Sequence, residues 1–284
     1  MNNEEMVKEF EKFAIKIRIE TIKEVAELGF GHLGGAMSIV DTLAVLYGGV
    51  MKIDSKNPKW EERDWLVCSK GHAGPAIYAS LAMKGYFPME QLKTLNKPGT
   101  KLPSHCDRNL TTGIDMTTGS LGQGSSAAVG IALGHKLDKK DNYTYLVLGD
   151  GEIQEGQVWE AVSCAAQQKL DNLITFVDYN KQQLDGYLKD INDMGDIKAK
   201  FESFNWHAQE IDGSSVKEIY EAIQKAKEAK GKPSVIVLDT VKGAGCCFAE
   251  GILNNHHMTV SMEQAEEAIA ILEKKLVELE GGAE

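Results

Sequence analysis

The sequence predicts a doubly wound, mostly parallel α/β sheet with helices on both faces. Short apolar runs alternate with segments of helical period along most of the 284 residues, which is the signature of repeated βα units. Two of those runs, TYLVLG (144–149) and LITFVD (173–178), are nearly continuous in hydrophobicity, as expected of strands covered on both sides. No Pro/Ser-rich linker, internal repeat or low-complexity tract interrupts the chain, so residues 1–284 read as a single domain.

Taken in order, residues 3–29 place Met6, Phe10, Phe13, Ala14, Ile17, Val25 and Leu28 at mostly three-to-four spacing, widened by Ile15, Ile19, Ile22 and Ala26, and stop at Gly29. That predicts a broad-faced amphipathic helix with a glycine end. There follow a strand at 65–68, helices at 73–85 and 124–137, a strand at 144–149, a helix at 156–169 and a strand at 173–178. A strand near 207–211, a helix at 215–229, a strand at 234–239 and a closing helix at 261–280 with an acidic, glycine-containing tail complete the pattern. Ligands of such sheets sit at the carboxyl ends of the strands, so the loops after Gly149 and Asp178 are where chemistry is expected.

Composition narrows the function classes. Lys and Arg number 31 against 42 Asp and Glu, a net charge of −11, with the basic residues scattered. This argues against nucleic-acid and anionic-membrane binding. The charged N-terminus lacks a signal-type apolar core, and no later segment approaches the roughly 18 apolar residues of a membrane span, so a cytoplasmic protein is expected. Five cysteines, Cys68, Cys106, Cys164, Cys246 and Cys247, contain no C-x-x-C pair and read as reduced, mainly structural thiols.

The first chemical signal is paired. The strand ending at Gly149 is followed by Asp150-Gly151-Glu152, and the strand ending at Asp178 by Tyr179-Asn180. Asp150 and Asn180 lie 180 − 150 = 30 residues apart, one βαβ unit, so a carboxylate and an amide oxygen can meet at neighbouring strand ends. Hard cations such as Mg²⁺ take oxygen ligands of this kind together with phosphate oxygens. Gly151 allows close approach of the backbone, and a helix starting near Ile153 would aim free N–H groups at an anion.

A G-D-G element followed after about thirty residues by an asparagine resembles the thiamine diphosphate motif, and the flanking GDGEIQEG and DYNKQQLDG resemble the transketolase family over nearly the whole chain. The resemblance implies that Asp150, Asn180 and the carbonyl of Gln182 hold a divalent ion, Mg²⁺ or another such as Ca²⁺ or Mn²⁺, bridging the diphosphate, with Gly151 beside it. In GFGHLGGAMS (29–38), His32 matches a histidine that bonds sugar oxygens, with Leu33 and Ala36 standing where the family has prolines. In SKGHAGPAIYA (69–79), His72 matches a histidine on the diphosphate. His105 in LPSHCDRN (102–109) matches one near the reacting carbon. In NNHHMTV (254–260), His256 is the better match to a further active-site histidine, with His257 as the alternative.

The segment DMTTGSLGQGSSAAVG (115–130) resembles a cofactor-contacting turn, which assigns Gly119 and Leu121 to the cofactor. Glu155 matches a glutamate that links two active sites across a dimer interface. Neutral imidazoles suit hydroxyl and carbonyl chemistry because each both donates and accepts. His135, in a helical pattern, and His207, entering a strand, read as structural.

In the family a glutamate from a second, pyrimidine-binding domain activates the cofactor, and the chain shows no further α/β repeat that would supply it. The resemblance therefore implies the N-terminal subunit of a split transketolase. Its companion is a C-terminal subunit, and the two form an α2β2 heterotetramer built on the family's twofold dimer. The reaction implied is transfer of a two-carbon ketol unit between sugars or sugar phosphates. The α subunit of a 2-oxo acid dehydrogenase shares the G-D-G to Asn element but lacks the loops of His32, His72 and His105. A non-catalytic regulatory protein that binds thiamine diphosphate is the reading from another class.

Overall fold

The computed structural model describes residues 3–281; the last three residues of the acidic tail lie outside them. The helix α1 (Asn3–Leu28) ends where Gly29 takes φ +88° and its N–H returns to the carbonyls of Val25 and Ala26, a left-handed cap that favours glycine. The main sheet contains β1 (Trp65–Cys68), β2 (Thr144–Gly149), β3 (Leu173–Tyr179), β4 (His207–Asp212) and β5 (Ser234–Asp239). Its order is β1-β2-β3-β5-β4, and every pairing is parallel. Between and after the strands lie α2 (Gly74–Met83), α3 (Gln123–Leu137), α4 (Gly156–Gln167), α5 (Ile197–Ser203), α6 (Val216–Glu228) and α7 (Met262–Gly281).

Right-handed crossovers decide which face each helix covers. From β2 to β3 to β4 the chain advances in one direction across the sheet, and α4 and α5 pack on one face with α3, around Leu146, Leu148, Val177 and Val237. Between β4 and β5 it reverses, which carries α6 to the other face. There it joins α1, α2 and α7 around Tyr145, Val147, Phe176 and Ile236. Alternate residues of one strand thus serve two cores, which is why these strands read as continuous apolar runs. The connection leaving β1 enters α2 on the α1 side, whereas that leaving β2 enters α4 on the opposite side. The two diverge at the carboxyl edge and open a crevice, the expected ligand position in an open parallel sheet.

The expected helix and strand limits hold within about two residues, and several short elements, α5 among them, lie outside the expected pattern. Strand pairs Phe30–Gly31 with Met258–Thr259 and Gln182–Gln183 with Gly186–Tyr187 are antiparallel and separate from the main sheet. The helix expected to begin near Ile153 begins at Gly156, preceded by one tight turn over Glu152–Gln154. Cys68, Cys106 and Cys246 are buried, Cys164 and Cys247 are exposed, and all five are free thiols. Among the described residues, no helix is long and apolar enough to cross a membrane.

Candidate functional site

The crevice between the ends of β1 and β2 opens into a cavity of about 390 Å³ lined by Lys70, His72, His105, Gly119, Leu121, Asp150, Gly151, Glu155, Asn180, Gln182, Leu184, Lys242 and His256. Ten of the eleven residues singled out in the sequence meet there, drawn from several separate loops. The eleventh, His32, lies against the same histidines. Its ring centroid is 5.1 Å from that of His105, 5.4 Å from His256 and 5.8 Å from His72.

Strand register brings the oxygen donors together. Gly149 pairs with Asp178 across β2 and β3, so Asp150 and Asn180 emerge from adjacent strand ends. The Asp150 carboxylate accepts the N–H groups of Gly151 at 2.8 Å and Lys181 at 2.6 Å. Burial first, and the neighbouring Asp178 carboxylate second, push its pKa up to about 7. The side chain of Asn180 is oriented by Asp178, whose Oδ2 accepts its N–H at 2.9 Å. The Gln182 carbonyl accepts a long 3.4 Å contact from Lys242 Nζ. A carboxylate, an amide oxygen and a main-chain carbonyl form a donor set suited to a hard divalent cation, and such an ion would relieve the crowding of Asp150 and Asp178.

Lys242 is the residue that sequence reading missed. It is 3% exposed, its contacts to protein oxygens are only the 3.4 and 3.5 Å ones to Gln182 and Gln183, and it makes no ion pair among the described residues. Burial, then the Lys70 ammonium, lower its pKa to about 8. A buried ammonium without a carboxylate partner is costly unless an anion completes the site. That is the observation by which the cavity fits a diphosphate. Lys70, by contrast, is already paired with Asp178. No spacing rule links Lys242 to the motifs at 150 and 180; only the return of β5 between β3 and β4 brings it there.

Two further buried carboxylates hold the frame. Glu152 accepts the N–H groups of Gly122 at 2.8 Å and Gly149 at 3.0 Å and the hydroxyl of Ser69, clamping the loops after β1 and β2 to the turn before α3. Asp178 accepts from Lys70, from Ser38 at 2.7 Å, from Asn180 and from Thr240 at 2.5 Å. Burial alone would raise its pKa, but Lys70 and the hydrogen-bond donors outweigh burial and hold it below the usual carboxylate range.

The histidine loops are tied by main chain. Gly34 N–H bonds the Asn255 carbonyl at 3.0 Å, Gly243 N–H bonds the Gly34 carbonyl at 3.0 Å, and Val260 N–H bonds the Gly29 carbonyl at 3.0 Å. Leu33 and Ala36 are fully buried, so apolar packing and these bonds hold the turn. A side chain at Gly35 would put its Cβ 2.8 Å from His72 Nε2, so glycine is needed for His72 to reach the cavity. Burial lowers the pKa of His32 to about 4 and of His256 to about 3, with nearby imidazoles and, for His256, Lys242 adding to it. His72 and His105 are lowered as well, burial being the first cause in each. Three neutral imidazoles, each able to donate and accept, therefore line the cavity at neutral pH, with a fourth, His32, packed against them. Glu155 caps α4 as an exposed residue at the cavity's edge, and Leu121 is 44% exposed there. His135 is buried in α3 and His207 opens β4, both away from the cavity.

A larger cleft of about 780 Å³ opens beyond β4 and β5, bordered by Glu210, Asp212, Asp239 and the Arg18–Asp41 pair. Its bidentate ion pair, at 3.0 and 2.5 Å, is internally satisfied, and the remaining carboxylates repel an anion. The smaller cavity is the candidate site.

A parallel α/β sheet whose carboxyl edge gathers oxygen donors, an unpaired buried ammonium and a bank of neutral histidines defines a site suited to a phosphorylated cofactor and a divalent cation. Residues 10–276 match the family model for the thiamine diphosphate binding domain of transketolase. The chain belongs to the transketolase family, and thiamine diphosphate is the cofactor of this domain. It is 55% identical to the 6-deoxy-6-sulfo-D-fructose transketolase subunit SqwG of Clostridium sp. (strain MSTE9), over 91% of this chain and 94% of that one. It is 34% identical to an apulose-4-phosphate transketolase subunit of Phocaeicola vulgatus, over 93% and 94%. The transketolase from Leishmania mexicana superposes with a TM-score of 0.86 at 33% identity, covering 94% of this chain but 41% of that one. The chain thus spans about two fifths of that full-length transketolase and nearly all of the two subunits.

Proposed function

We propose that this chain is the cofactor-anchoring half of a split transketolase. With a companion chain carrying the pyrimidine-binding half, it transfers a two-carbon ketol unit from a ketose to an aldose. The assembly is an α2β2 heterotetramer in the cytoplasm, and the chain contributes one domain to it. The observation that carries the reading is the convergence of Asp150, Asn180, the Gln182 carbonyl and the unpaired Lys242 beside His32, His72, His105 and His256. The identity of 55% to a sulfofructose transketolase subunit supports a ketose ending in an anionic group, sulfonate or phosphate, as donor.

Bound thiamine diphosphate supplies the nucleophilic carbon and electron sink of the reaction. Asp150, Asn180 and the Gln182 carbonyl would hold a divalent ion, Mg²⁺ in the first instance, for the diphosphate; Lys242 would offset its charge, and the neutral His72 would donate a hydrogen bond to it. Gly119, Leu121 and Gly151 border the cofactor closely. His105 and His256 face the reacting carbons, where neutral imidazoles exchange protons with hydroxyl and carbonyl oxygens. His32, whose Nδ1 lies 3.4 Å from Ser104 Oγ, orients sugar hydroxyls. Glu155 faces outward, as a link to a second subunit requires.

Isolated from its native cells with thiamine diphosphate and Mg²⁺, the chain is expected to co-purify with a companion and the assembly to transfer ketol units between sugars. The chain purified alone is expected to show none at saturating cofactor. Turnover by the lone chain would refute the division of labour, and a lone chain with neither companion nor activity would favour a regulatory protein. In the assembly, His32→Ala is expected to leave cofactor affinity near wild type and to lower kcat about a hundredfold. Loss of cofactor binding in that variant, measured by fluorescence titration, would move His32 from substrate to cofactor.

A further inference from the structure

The doubled histidine at 256–257 places only one of its imidazoles in the cofactor cavity. His256 lines that cavity, with its ring centroid 4.6 Å from that of His72. His257 is not among the residues that line it. It is exposed, its ring lies edge-on to His32 at 4.8 Å, and the Phe30 ring lies 5.5 Å away. The antiparallel pairing of Phe30–Gly31 with Met258–Thr259 fixes this arrangement by holding the two loops side by side. His32 thus stands between an inner group, His72, His105 and His256, and an outer pair, Phe30 and His257.

The outer pair has no evident structural duty. Phe30 is 42% exposed, so its ring adds little to the core. Among the described residues, no hydrogen bond reaches either ring nitrogen of His257. An aromatic wall beside an unengaged imidazole, continuous with the sugar-orienting histidine, is a surface suited to the part of a substrate that projects away from the cofactor.

The geometry points to Phe30 and His257 as the outer subsite of the donor sugar, with Phe30 packing against its carbon chain and His257 donating an N–H to its terminal anionic group. This rests on the ketol-transfer reading above and deepens it. A ketose placed with its reacting carbons at His105 and His256 and its middle hydroxyls at His32 extends its far end toward His257. Sulfonate and phosphate present the same feature to an imidazole, a cluster of anionic acceptor oxygens. His257 is then a specificity-determining residue.

The test uses the complete assembly with its companion chain, thiamine diphosphate and Mg²⁺. Three donors are compared: 6-deoxy-6-sulfo-D-fructose, fructose 6-phosphate, and L-erythrulose, which has no terminal anion. The readout is the ratio of kcat/KM for each anionic donor to kcat/KM for L-erythrulose. His257→Ala is expected to lower that ratio on the order of tenfold, through KM, as loss of one charge-assisted hydrogen bond does. His257→Gln, which keeps an N–H donor, is expected to lower it less, and it also serves if the alanine variant does not assemble. A fall for both donors supports recognition of the shared anion; a fall for one alone assigns the subsite to that terminal group. Ratios within twofold of wild type for both donors in both variants would overturn the inference. A wild-type assembly that transfers ketol from none of the three would overturn the ketol-transfer reading, and this inference with it.

Discussion

Asp150→Ala is expected to lower the affinity of the assembled enzyme for thiamine diphosphate by at least about a hundredfold in the presence of Mg²⁺ and to abolish turnover at ordinary cofactor concentrations. Residues that merely support a metal's ligands are typically worth about 10- to 100-fold in affinity, and a direct carboxylate ligand is worth more. The carboxylate is buried, meets the Gly151 and Lys181 N–H groups, and is crowded by Asp178. Burial and Asp178 both disfavour its negative charge, and a bound cation would favour it again. Alanine leaves the Gly151 and Lys181 N–H groups without their acceptor but also relieves the crowding by Asp178, so the change in stability should be small beside the loss of binding. A cofactor titration with and without Mg²⁺ makes the distinction: wild-type affinity in the variant would remove Asp150 from the ion, and a matching loss in thermal stability would make it structural.

Asp178→Ala is expected to have the largest effect on stability. The substitution leaves the Lys70 ammonium, 2% exposed, without its carboxylate, and strips acceptors from Ser38, Asn180 and Thr240. Breaking a buried pair from one side costs about 3–5 kcal/mol, which for a domain of this size lowers Tm by roughly 10 °C. Calorimetry of the variant measures it, and a shift under about 3 °C would mean that water replaces the carboxylate cheaply. The pH dependence has a definite sign. The folded-state pKa of Asp178 lies below its unfolded value of about 3.9, so its contribution is fully present above that value and is lost as pH falls through the folded pKa. The contribution of Asp178 itself should accordingly be constant from neutral pH to about pH 4 and shrink below it. Because Asp178 also orients Asn180, cofactor affinity should fall in the same variant.

How much of this was legible beforehand differs between fold and site. The limits of β2 and β5 are those read from the sequence, because a strand buried on both faces must be apolar at nearly every position and is bounded by the residues that break the run. The motif residues Asp150 and Asn180 were likewise visible, since one βα unit sets their spacing. The short helix α5 was not foreseen: its seven residues bury only Ile197 and Phe201, too few to impose a period. The two antiparallel pairs were equally silent, because two residues carry no alternation.

By itself, then, the sequence determined the parallel α/β class, the order of its main elements, and which loops hold donors and imidazoles, all of which depend on residues near one another in the chain. The tertiary structure alone decided three things: that Lys242 lies buried and unpaired beside Asp150, that Asp178 and Glu152 clamp the site, and that His256 lines the cavity while His257 does not. Each depends on where distant segments return. The reversal of the chain between β4 and β5 delivers Lys242, and the pairing of Phe30–Gly31 with Met258–Thr259 holds the loop of His256 and His257 against that of His32. Such long-range closures leave no local period or spacing to read, because their free energy resides in contacts between segments that hydrophobic patterning treats independently.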